Sequence, residues 1–90
     1  MRKIWKWELE IKDDQVITAP LGGLEYLDVQ EQDGKLCLWG VVTDWETMGA
    51  YTIYIFGTGH PIPNYLDTNT YIGTVVMSNG LVWHVFGGLT

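Results

Sequence analysis

Apolar and polar residues alternate with a period of two along most of this chain, the pattern of half-buried β-strands. From Ile4 to Ile11, Trp5, Trp7, Leu9 and Ile11 point one way, and Lys6, Glu8 and Glu10 point the other. Asp13-Asp14-Gln15 is a turn signal. Val16 to Ala19 is a short β-branched run stopped by Pro20, and the two runs together predict a hairpin. Leu24 to Gln32 is the next strand, with Leu24 and Tyr26 on one face and Leu27 and Val29 on the other. Asp33-Gly34 then predicts a type I′ turn, which needs positive φ at both central residues. Lys35 to Thr43 is apolar on both faces, with Leu36, Leu38 and Val42 opposed to Cys37, Trp39 and Val41. Such a strand belongs in the middle of a sheet, and Gly40 within it marks a bulge or a close approach.

Asp44 to Ala50 is a polar loop containing Trp45, with room for a short helical turn capped by Thr43 or Asp44. Tyr51 to Phe56 is a run of strong β formers. The pattern then stops for a long segment that opens with Gly57-Thr58-Gly59-His60-Pro61-Ile62-Pro63 and runs on through Tyr65 to Thr70. A pattern-free stretch of this length inside a small domain is unusual and often functional. Tyr71 to Met77 resumes the strand pattern, Ser78-Asn79-Gly80 is a second hairpin turn, and Leu81 to Phe86 closes the series. In that last run Trp83 and Val85 share one face, and His84 and Phe86 the other. No segment shows a helical stripe. The sum is an all-β fold, a small antiparallel sandwich or barrel of about seven short strands.

The chain has 90 residues, the size of a single domain spanning 1–90. A β core this small buries a modest fraction of its surface, and self-association, as a dimer, is the expected way to protect outer strands. Charge narrows the partners. The net charge is −6, four of the five cations (Arg2, Lys3, Lys6 and Lys12) lie at the start of the chain, and none follows Lys35. DNA and RNA binding, which rest on clustered Lys and Arg, are therefore disfavoured. No stretch is long and apolar enough for a membrane span, and the opening residues lack an apolar signal core. A soluble cytoplasmic protein is the expectation.

Chemistry-bearing residues are few. Cys37 is the single cysteine, so there is no internal disulfide and no cysteine-based zinc motif, and its apolar flanks predict a buried thiol. His60 and His84 are the only histidines, and neither has a second histidine at metal-ligand spacing. His84 alternates with Val82 and Phe86 and reads as a packed or half-exposed structural residue. Cys37 and Ser78 are the candidate nucleophiles, but neither stands in a known signature, so the chain reads as a non-enzyme without cofactor or metal. The candidate binding residues are Gly57, Thr58, Gly59 and His60, joined by the loop aromatics Trp45 and Tyr65. Backbone N–H groups around glycines can cradle an anion, and exposed aromatics can stack on a flat ring or anchor a protein contact. The same glycines and prolines also fit a strand-ending bulge followed by a stiff linker.

Several blocks taken together carry a resemblance. Lys35-Leu36-Cys37-Leu38-Trp39, Gly57 to Pro63, Tyr71-Ile72-Gly73-Thr74-Val75 and Gly80 to Phe86, with Ile4-Trp5-Lys6-Trp7 and Val29-Gln30, resemble a family of small bacteriophage-encoded proteins of unknown function. The resemblance spans nearly the whole chain. It implies a phage accessory protein working in the host cytoplasm of an infected bacterium. By analogy with other compact phage proteins, such a protein counteracts host defence, either by binding and sequestering a small nucleotide-derived ligand or by inhibiting a host protein.

Overall fold

The computed structural model describes residues 1–44 and 46–88. Seven strands run in chain order: β1 (Arg2–Leu9), β2 (Asp14–Pro20), β3 (Leu24–Gln32), β4 (Lys35–Thr43), β5 (Met48–Gly57), β6 (Tyr71–Val76) and β7 (Val82–Gly87). The only helical element described is a single 3-10 turn over Thr68–Thr70. The strands form two antiparallel sheets, one ordered β1-β4-β3 and the other β2-β5-β7-β6. They face each other as an open sandwich, not a closed barrel.

The core lies between the sheets. Leu9, Val29, Leu36 and Leu38 from the three-stranded sheet meet Ile17, Ala19, Tyr51, Ile53, Ile55, Val75 and Val85 from the four-stranded one. β4 is central, as its two apolar faces require. Cys37 stands on its outward face and is still only 1% exposed. Gly40 is a close approach: a Cβ there would lie 2.9 Å from Leu24 Cδ1 and 3.2 Å from Trp7 Cζ3. The Asp33-Gly34 turn takes positive φ at both residues, 54° and 77°. Tyr51 carries a polar tip into the interior and is satisfied there. Its hydroxyl donates to Pro20 O at 2.7 Å and accepts from the Gly22 N–H at 3.0 Å.

Three expectations are corrected. β1 and β2 do not pair; β1 joins β4 and β2 joins β5, so the chain changes sheets at residues 10–13. Side chains hold this corner in place of a ladder. Gln15 bonds both the N–H and the C=O of Glu10, and Trp7 Nε1 donates to Thr18 O across the gap. The corner lets the apolar faces of both strands reach one core from opposite sides. In β3 the alternation breaks at a bulge between Tyr26 and Asp28. Leu24, Tyr26 and Val29 therefore all turn inward, while Leu27 is 46% exposed. Finally, no helical turn fills the described part of 44–50, because β5 already begins at Met48.

Tyr26 reaches across the sandwich onto Gly87 of β7, where a Cβ would lie 2.4 Å from the ring. Its hydroxyl donates to Gly88 O at 3.2 Å. Burial, with a smaller contribution from nearby Tyr51, pushes the Tyr26 phenol from 10.0 up to about 12.

Candidate functional site

The outer face of the four-stranded sheet carries the candidate site. Strand register sets one row of side chains across it: Asp14 opposite Tyr54, Tyr54 opposite Phe86, and Phe86 opposite Tyr71. The next row is Phe56, His84 and Thr74. Directly opposed residues on one face are close neighbours. The rings meet edge to face, Phe86 with Tyr71 at 5.5 Å and Phe86 with Phe56 at 5.9 Å between centroids. Phe56 and Phe86 are only 7% and 6% exposed although they point away from the main core. The long connection after β5 crosses this face, with His60 and Ile62 bordering the same depression as Phe56, His84 and Phe86.

That connection is fixed by the Gly57-Thr58-Gly59-His60 turn. The His60 N–H donates to Gly57 O at 3.1 Å, and Gly59 has a φ of 88°, which glycine adopts freely. The His60 ring folds back over Gly57, where a Cβ would lie 2.9 Å from Nδ1. Thr58 Oγ1 lies 2.7 Å from Nε2 of His84. On the far side of that ring, Thr74 Oγ1 lies 3.0 Å from Nδ1, and Tyr71 OH lies 2.6 Å from Thr74 Oγ1. A continuous hydroxyl–imidazole–hydroxyl chain thus ties the loop to β7 and β6. His84 is the half-buried structural histidine expected of an alternating strand, and it also clamps the loop.

Beyond the turn, the loop and the sheet leave a cleft of about 400 Å³. Tyr54 and Phe56 supply its sheet side, and His60, Pro61, Pro63 and Tyr65 its loop side. Asp13 and Asp14, at the start of β2, border it as well. Tyr54 and Tyr65 also border an adjoining cleft of about 250 Å³ that includes Leu66, Asp67 and Thr70. Among the described residues, the side chains of Asp13, Asp14, Tyr54, His60 and Tyr65 have no hydrogen-bonding or ionic partner. No Lys or Arg borders the cleft.

Of the residues singled out from sequence, His60 and Tyr65 come together at this cleft. Gly57, Thr58 and Gly59 border the depression beside His84 instead. Of the groups that turn offers to an anion, the His60 N–H donates to Gly57 O and the Thr58 hydroxyl is hydrogen-bonded to His84 Nε2. Trp45 lies outside the described residues. Sequence reasoning missed Asp13, Asp14, Tyr54 and Phe56. The alternation of Tyr54 and Phe56 against Ile53 and Ile55 was the available signal, but the loop over that face and the β2–β5 pairing were not visible in it. Among the described residues no group of three His, Cys, Asp or Glu side chains could hold a metal ion, and no helix is long and apolar enough to cross a membrane.

A family model described as a domain of unknown function (DUF7352) matches residues 1–89. The chain belongs to that family. No curated protein and no solved structure matches it.

Proposed function

We propose that this member of the family is a non-enzymatic binding protein that captures a small, flat, nucleotide-derived ligand in the cleft between β5 and the 58–67 loop. The observation that carries the reading is the contrast in hydrogen bonding on one sheet face. His84, Thr58, Thr74 and Tyr71 satisfy one another, whereas the side chains of Asp13, Asp14, Tyr54, His60 and Tyr65 have no partner among the described residues. Pockets with apolar and aromatic walls and a few convergent polar groups are the usual form of small-ligand sites. A ring would lie against the tyrosines, with any phosphate directed away from Asp13 and Asp14.

The side chains that would have to do chemistry favour binding over catalysis. Ser78 donates its hydroxyl to Glu31 at 2.9 Å and has no imidazole partner, and Cys37 is buried. Thr58 does meet His84, but the second ring nitrogen faces the Thr74 hydroxyl, not a carboxylate able to stabilise an imidazolium. In this reading, and from the resemblance to phage proteins, the protein acts in the cytoplasm of an infected bacterium and counters host defence by sequestering a signal. Outer strands at the ends of both sheets make a dimer the proposed assembly.

Titration calorimetry against nucleosides, mononucleotides and cyclic nucleotides tests the ligand. Saturable heat that is lost in Tyr65→Ala supports it, and the absence of heat with every member of the panel sinks it. One observation favours a second reading, inhibition of a host protein. Tyr65 is 78% exposed beside two free carboxylates, a combination suited to a basic protein surface. Pulldown from host lysate with wild type and Tyr65→Ala separates the two readings, because only a genuine partner depends on Tyr65.

A further inference from the structure

We propose that the cleft recognises a planar N–C–N donor edge, the unit shared by guanine and by a guanidinium group, with Asp14 as its acceptor and Tyr54 as its stacking wall. The inference rests on the binding reading above and names the class of ligand. Asp14 opens β2 directly opposite Tyr54, so its side chain stands beside that ring on the outer face. The position is anchored, because the carbonyl of Asp13 accepts from the Ile55 N–H at 3.0 Å. Both carboxylates border the cleft, and neither has a hydrogen-bonding or ionic partner among the described residues.

Four of the five Lys and Arg side chains have partners elsewhere. Arg2 pairs with Glu25, Lys12 with Glu10 and Lys35 with Glu8, while Lys6 donates to Gln32. A group entering this cleft therefore meets two exposed carboxylates that pair with no Lys or Arg among the described residues. A carboxylate is matched best by two parallel N–H donors in one plane. Guanine presents N1–H and the 2-amino group in that arrangement, and guanidinium presents the same pair with a positive charge. Both are flat and lie well on a tyrosine face. A phosphate fits poorly here, since it would face two carboxylates with no Lys or Arg bordering the cleft, and the nearby His60 N–H already donates to Gly57 O.

The test is calorimetry on the whole chain with guanosine, inosine, guanosine monophosphate and N-acetyl-arginine amide, on wild type and Asp14→Asn. Inosine keeps N1–H but lacks the 2-amino group. The expected result is guanosine about tenfold tighter than inosine, about one good hydrogen bond's worth. The monophosphate should bind more weakly than guanosine, with the gap closing as salt is raised. Asp14→Asn should lose about tenfold for the donor-edge ligand while keeping the wild-type circular dichroism spectrum. Binding of the arginine derivative without guanosine supports the donor edge, assigns its source to guanidinium and removes the nucleotide part of the binding reading. Equal binding of guanosine and inosine, tighter binding of the monophosphate, or an unaffected Asp14→Asn overturns the donor edge and leaves the binding reading in place. Binding of none of the four overturns the donor edge, and the wider panel of nucleosides, mononucleotides and cyclic nucleotides then decides the binding reading separately.

Discussion

Gly87→Ala tests how the two sheets are locked together. A Cβ at Gly87 would lie 2.4 Å from Cε2 and 2.6 Å from Cζ of the Tyr26 ring, and 3.0 Å from Ile72 Cδ1. The ring is held from behind by the core and at its tip by Gly88 O, so it cannot swing clear without losing that bond. Overpacking of this kind costs about 1–3 kcal/mol. Loss of the Tyr26 hydroxyl bond adds about 1 kcal/mol. Against this, alanine in an extended strand stabilises by about 0.4–1 kcal/mol through the unfolded chain. The expected net loss is about 2 kcal/mol, read in urea melts with unchanged slope or as a fall in Tm of about 10 °C for a domain of this size. Trimming the ring in the double variant Gly87→Ala/Tyr26→Ala should cost less than the sum of the singles by at least about 1 kcal/mol, because the clash is gone. A single variant within about 0.5 kcal/mol of wild type, or strictly additive costs, would refute the lock.

Three further outcomes are expected. The Tyr26 phenol is raised from 10.0 to about 12 in the folded protein, so the native state binds its proton more tightly than the unfolded chain. Its contribution is complete below pH 10 and is lost as pH rises toward 12, so stability should fall in that window, less steeply in Tyr26→Phe; identical alkaline profiles would contradict this. Thr58→Val removes the hydroxyl facing His84 Nε2 and should cost under about 1.5 kcal/mol overall. It should still raise amide exchange across the 58–67 loop, and unchanged exchange there would show that the hydroxyl chain does not hold the loop. Light scattering at micromolar concentration should report a dimer, and a monomer would remove self-association from the picture.

Where a local signal sufficed, the sequence was readable. Asp33-Gly34 sets one hairpin through positive φ at both residues, Asn79-Gly80 sets another with positive φ at Gly80 alone, and the double apolar face of Lys35–Thr43 placed β4 at the centre. Where geometry depends on an interruption or on a distant partner, it was not. The bulge after Tyr26 rotates the rest of β3 by one face, and no residue type announces it. The corner between β1 and β2 is held by Gln15 and Trp7 side chains, which look like any polar or aromatic strand residue. The cleft shows the same division. His60 and Tyr65 stood out because they break the strand pattern. Asp14 resembled a turn residue until the β2–β5 register set it beside Tyr54.

The sheet-to-sheet corner also bears on how the molecule comes into being. Only β3–β4 and β6–β7 are hairpins between chain neighbours; β1–β4, β2–β5 and β5–β7 must find each other across intervening strands. Such non-local topologies place β domains at the slow end of two-state folding, milliseconds to seconds. The wall that holds Asp14 beside Tyr54 is built by one of these non-local ladders. A chain with both hairpins formed but β2 unpaired would have the tyrosine and the loop but no Asp14 beside them.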